Sequence, residues 1–327
     1  MIIPIVGPSA LEFWLSGVAD RSTSLLSSKL TRVSLPENYV ISHQQEHYQK
    51  ISIELGIDFP IHVMANRKPD RGHTRFSKPS IKPKNLPKNA FIQLSDSIYV
   101  SSPELCFVQM ANLLPVPKIV EIANNLCAIY FIDKKKTYGL SARSPILDTA
   151  DLLEFLNRAK GLNGIKKARQ AIRYAADKSR SPIESQMAAL EVLPFSQGGY
   201  GFPKPELNQD ISLSDRAATL LKRESCNCDM VWMDQKVIVE YDSNLTHLSP
   251  DQHAYDKSKA NALYLSGYKT FYATAKNLQS FKEIEAMFLT LREMLGLRPE
   301  KAKLQKYEAI RHKTVHIIMY DSWKKLI

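Results

Sequence analysis

The chain reads as an α/β protein in two parts. Three observations predict this. Its 327 residues exceed what one ordinary hydrophobic core requires. Short β-branched and aromatic runs alternate with longer segments of helical apolar spacing. Near residue 180 a basic stretch ends and a regular succession of helix, β-rich segment, hairpin, helix and strand begins. The composition, 44% hydrophobic and 24% charged, is that of a folded globular protein, and no run of 18 or more apolar residues suggests a membrane span. No membrane partner is expected.

In the first half, Met1-Ile-Ile-Pro-Ile-Val6 predicts a buried strand, because it lacks the positive region, long apolar core and cleavage site of a secretory signal. Phe59–Met64, Ala90–Leu94 and Ile98–Val100 have strand composition and length. Between the first two lie Arg67, Lys68, Arg71, Arg75, Lys78, Lys82, Lys84 and Lys88, interleaved with Pro69, Pro79, Pro83 and Pro87 and opposed only by Asp70. The prolines predict a loop over 66–89, either a solvated excursion or an arm that contacts phosphates. Ser101 or Ser102 can cap a helix with Pro103 in its first turn and Glu104 completing a capping box. Further helices are predicted at 118–126 and 149–160, around a turn-rich stretch at 133–144. Residues 1–157 therefore form a mixed α+β N-terminal domain. A basic connecting helix is expected over 158–180, with Arg158, Lys160, Lys166, Lys167, Arg169, Arg173, Lys178 and Arg180.

Net charge is +11, which attracts polyanions, and its clustering makes DNA the expected partner. Four cysteines make no disulfide framework, and a reducing, cytoplasmic setting fits them. Cys226 and Cys228 have no second pair at zinc spacing and read as core or strand thiols.

The second half opens with Ser181-Pro-Ile-Glu184, where Ile183, Met187 and Leu190 form one helical stripe. Gly198-Gly-Tyr-Gly201 marks a turn. Cys226–Met233 and Lys236–Asp242 read as a hairpin about Asp234-Gln235, followed by a helix over 250–266 and a strand over 268–273. Residues 181–300 form the second domain and 301–327 a basic C-terminal segment. The hairpin puts Asp229 and Glu240 on neighbouring strands, and the apolar Val237-Ile-Val239 ends in Glu240 and Asp242, which alternate onto one side. Two carboxylates across a hairpin suit a hard cation such as Mg2+ or Mn2+ together with a substrate phosphate. Glu184 is either a capping residue or a member of that site.

The pattern Asp229 … Val239-Glu-Tyr-Asp242 … His247 … Asp256-Lys257 resembles the Vsr-like branch of the PD-(D/E)XK nuclease superfamily, over residues 181–290. The resemblance implies a restriction-endonuclease-like three-layer α/β/α core and a metal-dependent DNA endonuclease that hydrolyses phosphodiester bonds. Asp229 and Glu240 would bind the metal, His247 would serve as general base, and Glu184 matches the acid of the first helix. Asp242 stands where much of the superfamily has a lysine, which the Vsr-like branch commonly lacks; Ser243 stands where a glycine is frequent. DNA contacts are expected from Arg67, Lys68, Arg71, Arg75, Lys78, Lys166, Lys167 and Arg169, and from Lys257 and Lys259 in the helix after the hairpin. The N-terminal half resembles regulators related to AbiE-type antitoxins through Gly7-Pro-Ser-Ala-Leu-Glu-Phe-Trp14, Ile61-His-Val63 and Ser101-Ser-Pro-Glu-Leu-Cys106. No winged-helix reader is found ahead of Gly7, so that resemblance implies a scaffold for a cognate toxin or other protein partner. It also leaves an alternative, a non-catalytic DNA-binding regulator that retains the nuclease fold.

Overall fold

The computed structural model describes residues 1–20, 31–68, 72–133, 136, 139–242 and 250–327. The chain divides into two compact units, Met1–Ala175 with Trp323–Ile327, and Ala176–Ser322.

The first unit is built on β1 (Ile3–Ile5), β2 (Thr31–Val33), β3 (Ile61–Ala65), β4 (Ser77–Ile81), β5 (Phe91–Gln93) and β6 (Ile98–Ser101), in the sheet order β2-β5-β6-β1-β3-β4. The amino-terminal strand is wholly buried, parallel to β6 and antiparallel to β3. Around the sheet run α1 (Gly7–Leu15), α2 (Gln45–Leu55), α3 (Pro103–Leu113) and α4 (Val116–Leu126), with Cys106 and Cys127 buried as apolar side chains. A small sheet of β7 (Tyr130–Ile132) and β8 (Leu140–Ala142) precedes α5 (Thr149–Arg158) and α6 (Ile165–Ala171).

Four local expectations are corrected here. The basic stretch is not all loop: β4 lies within it, parallel to β3 with Pro79 opposite Val63. Because β4 ends the sheet, the missing proline N–H leaves no ladder bond unmade. Ser102 caps α3 by accepting from Leu105 N at 3.3 Å, but Glu104 turns to Arg32 at 2.7 Å instead of closing a capping box. The turn-rich stretch contains β8, paired to β7 across the hairpin. Residues 158–180 do not form one helix, because Gly161 and Gly164 hold left-handed φ values of 70° and 90°. A Cβ at Gly164 would come within 2.4 Å of Val108 O, so the close approach to α3 requires glycine and breaks the helix there. Only α6 and the short turn Ile172–Tyr174 are helical beyond it.

Trp323–Ile327 returns to the first unit, where Lys324 Nζ lies 2.5 Å from both Glu12 Oε1 and Asp58 Oδ2.

The second unit begins with α7 (Pro182–Val192), capped by Ser181, and continues through β9 (Glu206–Ser212), α8 (Asp215–Leu221), β10 (Ser225–Trp232), β11 (Val237–Asp242), α9 (Pro250–Leu265) and β12 (Lys269–Thr274). The sheet order is β12-β11-β10-β9. The expected hairpin pairs β10 with β11 antiparallel, Met230 opposite Val239, and α9 is the crossover that makes β12 parallel to β11. Leucine and alanine side chains of α8 and α9, with Ile211 of β9, pack on Cys226, Cys228, Val231 and Ile238 in one apolar cluster. A second cluster stacks Tyr200, Phe202, Trp232 and Phe288, with the Tyr200 and Phe288 centroids 4.4 Å apart. The terminal stretch expected as a separate basic segment instead continues this unit after α10 (Phe281–Met294), as α11 (Lys301–Lys306) and α12 (Glu308–Val315), with Arg311 buried against Glu285. Among the described residues no helix is long and apolar enough to cross a membrane.

Glu191, on α7, is fully buried and neither carboxyl oxygen has a hydrogen-bond partner. Burial raises its pKa well above the ordinary value, so the folded protein holds the proton that the unfolded chain releases. Its contribution to stability is full below about pH 4.3 and is lost as pH rises toward the folded pKa, by at most about 1.4 kcal/mol per pH unit. Glu191→Gln is expected to flatten the fall of Tm between pH 5 and 8 relative to wild type. Parallel curves for the two proteins would show that Glu191 ionises at no cost.

Candidate active site

The hairpin strands β10 and β11 meet their neighbours at an irregular row. Cys226, Cys228 and Val231 all belong to the cluster under α8 and α9, although Val231 has the opposite parity along β10. The β9–β10 ladder keeps one register from Ser225↔Ser212 to Val231↔Glu206, and the row left out of it is Asn208 with Asp229. Asn208 holds a left-handed φ of 52°. The strand pair therefore reverses its faces at that row, which places Asp229 at the break. Its carboxylate fills the gap in hydrogen bonding: Oδ2 accepts from Tyr241 N on β11 at 2.8 Å, just beyond the last paired residues.

Asn208 is itself held in a polar network. Its Nδ2 donates to Lys178 O at 2.9 Å and to Glu184 Oε2 at 2.7 Å, and its carbonyl accepts from Asn227 Nδ2 at 3.0 Å. Asn227 also bonds Asp210 and the Arg180 guanidinium. Glu184 takes up the capping role. It stands at the N3 position, where Ser181 Oγ accepts from its N–H at 3.2 Å and donates to Oε1 at 2.8 Å. The reciprocal backbone bond comes from Arg180 N at 2.8 Å, one residue before the cap. The same carboxylate reaches the Asp229 neighbourhood: burial and then the Asp229 charge raise its pKa, against the lowering bonds from Arg180, Asn208 and Ser181.

Glu240 follows the apolar Val237–Val239 on β11, and Lys259 reaches it from α9 with Nζ 2.7 Å from Oε1. Both side chains are largely buried, at 13% and 16% exposure. This is a close ion pair in a largely buried setting. Burial lifts the Glu240 carboxyl to about 7; Lys259 holds it down and Asp229 pushes it up. Asp229 is raised by burial as well, and lowered by the Tyr241 N–H, Lys259 and Arg180. For Lys259 burial acts downward, but Glu240, Cys228 and Asp229 outweigh it and the ammonium is raised overall. Cys226 and Cys228 are buried free thiols beside this pair: their mutual contact lowers Cys226 and raises Cys228.

The structure thus brings together Glu184, Asp229 and Glu240 from α7, β10 and β11. Asp242 lies at the half-buried end of β11 and acts on Tyr241. His247 and Arg71 lie outside the described residues. Lys259, expected among the DNA contacts, is instead the buried partner of Glu240, whereas Lys257 is exposed. In the first unit, Arg67, Lys68, Arg75, Lys78, Lys166, Lys167 and Arg169 are all exposed. Arg75 stacks on Phe76, and Lys78 helps burial to depress the His62 imidazole to about 4. Lys167 donates to Leu114 O, and Arg169 caps the carbonyls of Leu156 and Ala159 at the end of α5, so these two cations have structural partners. Sequence reasoning missed Asn208, Asn227 and Arg180 as members of the acid network.

Among the described residues no group of three or more His, Cys, Asp and Glu side chains stands ready to hold a metal ion. A magnesium ion typically needs only one or two protein carboxylates, with waters and substrate phosphate completing its shell. Asp229 and Glu240 supply two such carboxylates, and Asn208 Oδ1, in the row of Asp229, is a buried oxygen with no hydrogen-bond donor. These are all oxygen donors, the kind a hard divalent cation takes. Comparison with protein-family models, curated proteins and solved structures finds no match to this chain.

Replacing Lys259 by methionine removes the charge that holds Glu240 down. The Glu240 carboxyl, followed by carbon-13 NMR, is expected to titrate above its wild-type midpoint near 7. An unchanged midpoint would show that Lys259 does not control this acid.

Proposed function

We propose that the second unit is a divalent-metal-dependent endodeoxyribonuclease of the PD-(D/E)XK type, related to the Vsr-like branch. The observation that carries this reading is a charge imbalance. Asp229 is buried within electrostatic reach of both Glu184 and Glu240, and the Lys259 ammonium acts on Asp229 and Glu240, with Arg180 acting on Asp229. Buried carboxylates without enough counter-charge are costly. A cation arriving with the substrate offsets that cost, and a purely structural scaffold has no use for it. The order α7, β9, β10, β11, α9, β12, with acids at the break of β10 and the end of β11, supports the same reading.

In this mechanism Asp229 and Glu240 would hold the cation, which would supply positive charge at the phosphate and lower the pKa of water. Lys259 places a second positive charge beside Glu240, taking the part of the lysine that Asp242 replaces; its ammonium stabilises charge developing on the phosphate oxygens. Glu184 fixes Asn208 and hence the irregular row that presents Asp229. His247, which follows β11 in the chain, carries the general-base role that the resemblance implies. The exposed cations of the first unit bind the DNA backbone, and each phosphate contact removed is expected to lower the salt slope by about 0.9 on duplex DNA.

Nicking of supercoiled plasmid tests the reading. Wild-type protein is expected to nick with Mg2+ or Mn2+, Glu240→Gln and Asp229→Asn to lose at least roughly 10³-fold, and Lys259→Met roughly 10²- to 10³-fold, the scale of one lost charge-stabilising donor. Wild-type protein that binds plasmid and never nicks it would favour the non-catalytic regulator.

Metal binding has its own pH signature. Because the Glu240 carboxyl titrates at about 7, it carries a proton at pH 5.5 that a cation must displace. Magnesium is therefore expected to raise Tm more at pH 8 than at pH 5.5, and Glu240→Gln to remove that difference. Equal shifts at both pH values would place the ion elsewhere.

A further inference from the structure

The acid site continues into a groove that the proposed nuclease chemistry does not use. It runs between the end of α9 and β12, has a volume of about 830 Å³, and is lined by Tyr264, Tyr268, Thr270, Tyr272 and Lys269. Tyr264 is 78% exposed and Tyr272 44% exposed, so neither ring is there chiefly to fill a core. Tyr268, Thr270 and Tyr272 follow the two-residue period of the strand and share one side of it. Tyr272 is the direct neighbour of Glu240 in the β11–β12 ladder, and its phenol is pushed up to about 12 by burial and then by the Glu240 charge. The groove therefore starts at the candidate active site. Thr270 Oγ1, within its lining, is buried without a hydrogen-bond partner.

Lys269 is the one charged residue among the described lining residues, and Lys236 Nζ lies 3.5 Å from where a Cβ on Gly267, another lining residue, would stand. That charge suits a polyanion. The other occupant an end strand invites is another β-strand, but a lysine on the edge is a device that opposes such pairing. Exposed aromatic rings beside cations are the means by which proteins hold unpaired nucleotides, since every base has a π-face and a duplex hides those faces inside its stack.

We propose that this groove binds an unpaired DNA strand by stacking bases on Tyr264, Tyr268 and Tyr272 and leads it to Glu240 and Lys259. The substrate class is then single-stranded DNA, or single-stranded extensions of a duplex. This rests on the nuclease reading above for its direction of travel, and on the groove alone for its binding.

Fluorescence anisotropy in EDTA, with a labelled twelve-residue oligothymidine and a blunt duplex of the same length, separates the two. Tyr264→Ala and Tyr272→Ala are each expected to weaken oligothymidine binding roughly 5- to 100-fold while duplex binding stays within about two-fold. Tyr264→Phe, which keeps the ring face, is expected to bind like wild type. Unchanged oligothymidine affinity in both alanine variants, or an equal loss on duplex, would overturn the proposal. So would sedimentation showing a wild-type dimer that Tyr264→Ala dissociates without loss of DNA binding, which would assign the groove to a second copy of the chain. Cleavage with Mg2+ is measured in parallel. Tyrosine-dependent binding without cleavage by wild type would remove the nuclease reading and leave the groove standing as a strand-binding site; duplex cleavage without tyrosine-dependent binding would do the reverse.

Discussion

Glu240 follows three buried, apolar residues on its strand, and Lys259, 2.7 Å away, is the main group that lets a carboxylate in that position ionise near neutrality. The pair ties α9 to β11 beside the apolar contacts of Ala262 and Leu263, and α9 is the crossover that makes β12 parallel to its neighbour. It also fixes the electrostatics, since the same ammonium lowers Asp229 and Glu240 together. Removing one member would leave a buried charge without its counter-ion, a larger loss than removing both.

The irregular row at Asn208 and Asp229 solves a related problem. A regular strand would alternate its residues and give the acid no control over the next backbone N–H. Here the left-handed Asn208 breaks the alternation, Asp229 accepts from Tyr241 N, and Glu184 holds the asparagine by a bond of 2.7 Å. Strained backbone of this kind persists where surrounding bonds over-determine it, and the Arg180–Asn227–Asp210 network supplies them.

Much of this architecture was legible in the sequence, because it is written in short-range pattern. The buried amino-terminal strand, the hairpin about Asp234-Gln235, the cap at Ser181 and the helix after residue 250 follow from apolar spacing and turn chemistry. The expected helix over 158–180 failed because composition favoured it while two glycines in left-handed conformation stopped it. The part played by Lys259 was illegible for a different reason. Its charge resembled that of any other lysine on a helix, and only the packing of α9 on the sheet turns it toward Glu240. Asn208 was missed because its strand carries polar residues at several positions, so the two-residue period is weak there.

The return of Trp323–Ile327 to the first unit bears on how the chain is made. The second unit is, in effect, an insertion between two pieces of the first, and the later piece brings the lysine that neutralises Glu12 and Asp58. A ribosome releases these pieces in order. Domains tend to fold as they emerge, yet Lys324 reaches this one only after all of Ala176–Ser322 has followed it out. The first unit to begin folding is thus the last to be completed, and whatever binds it early meets a surface more acidic near Glu12 than the finished protein presents.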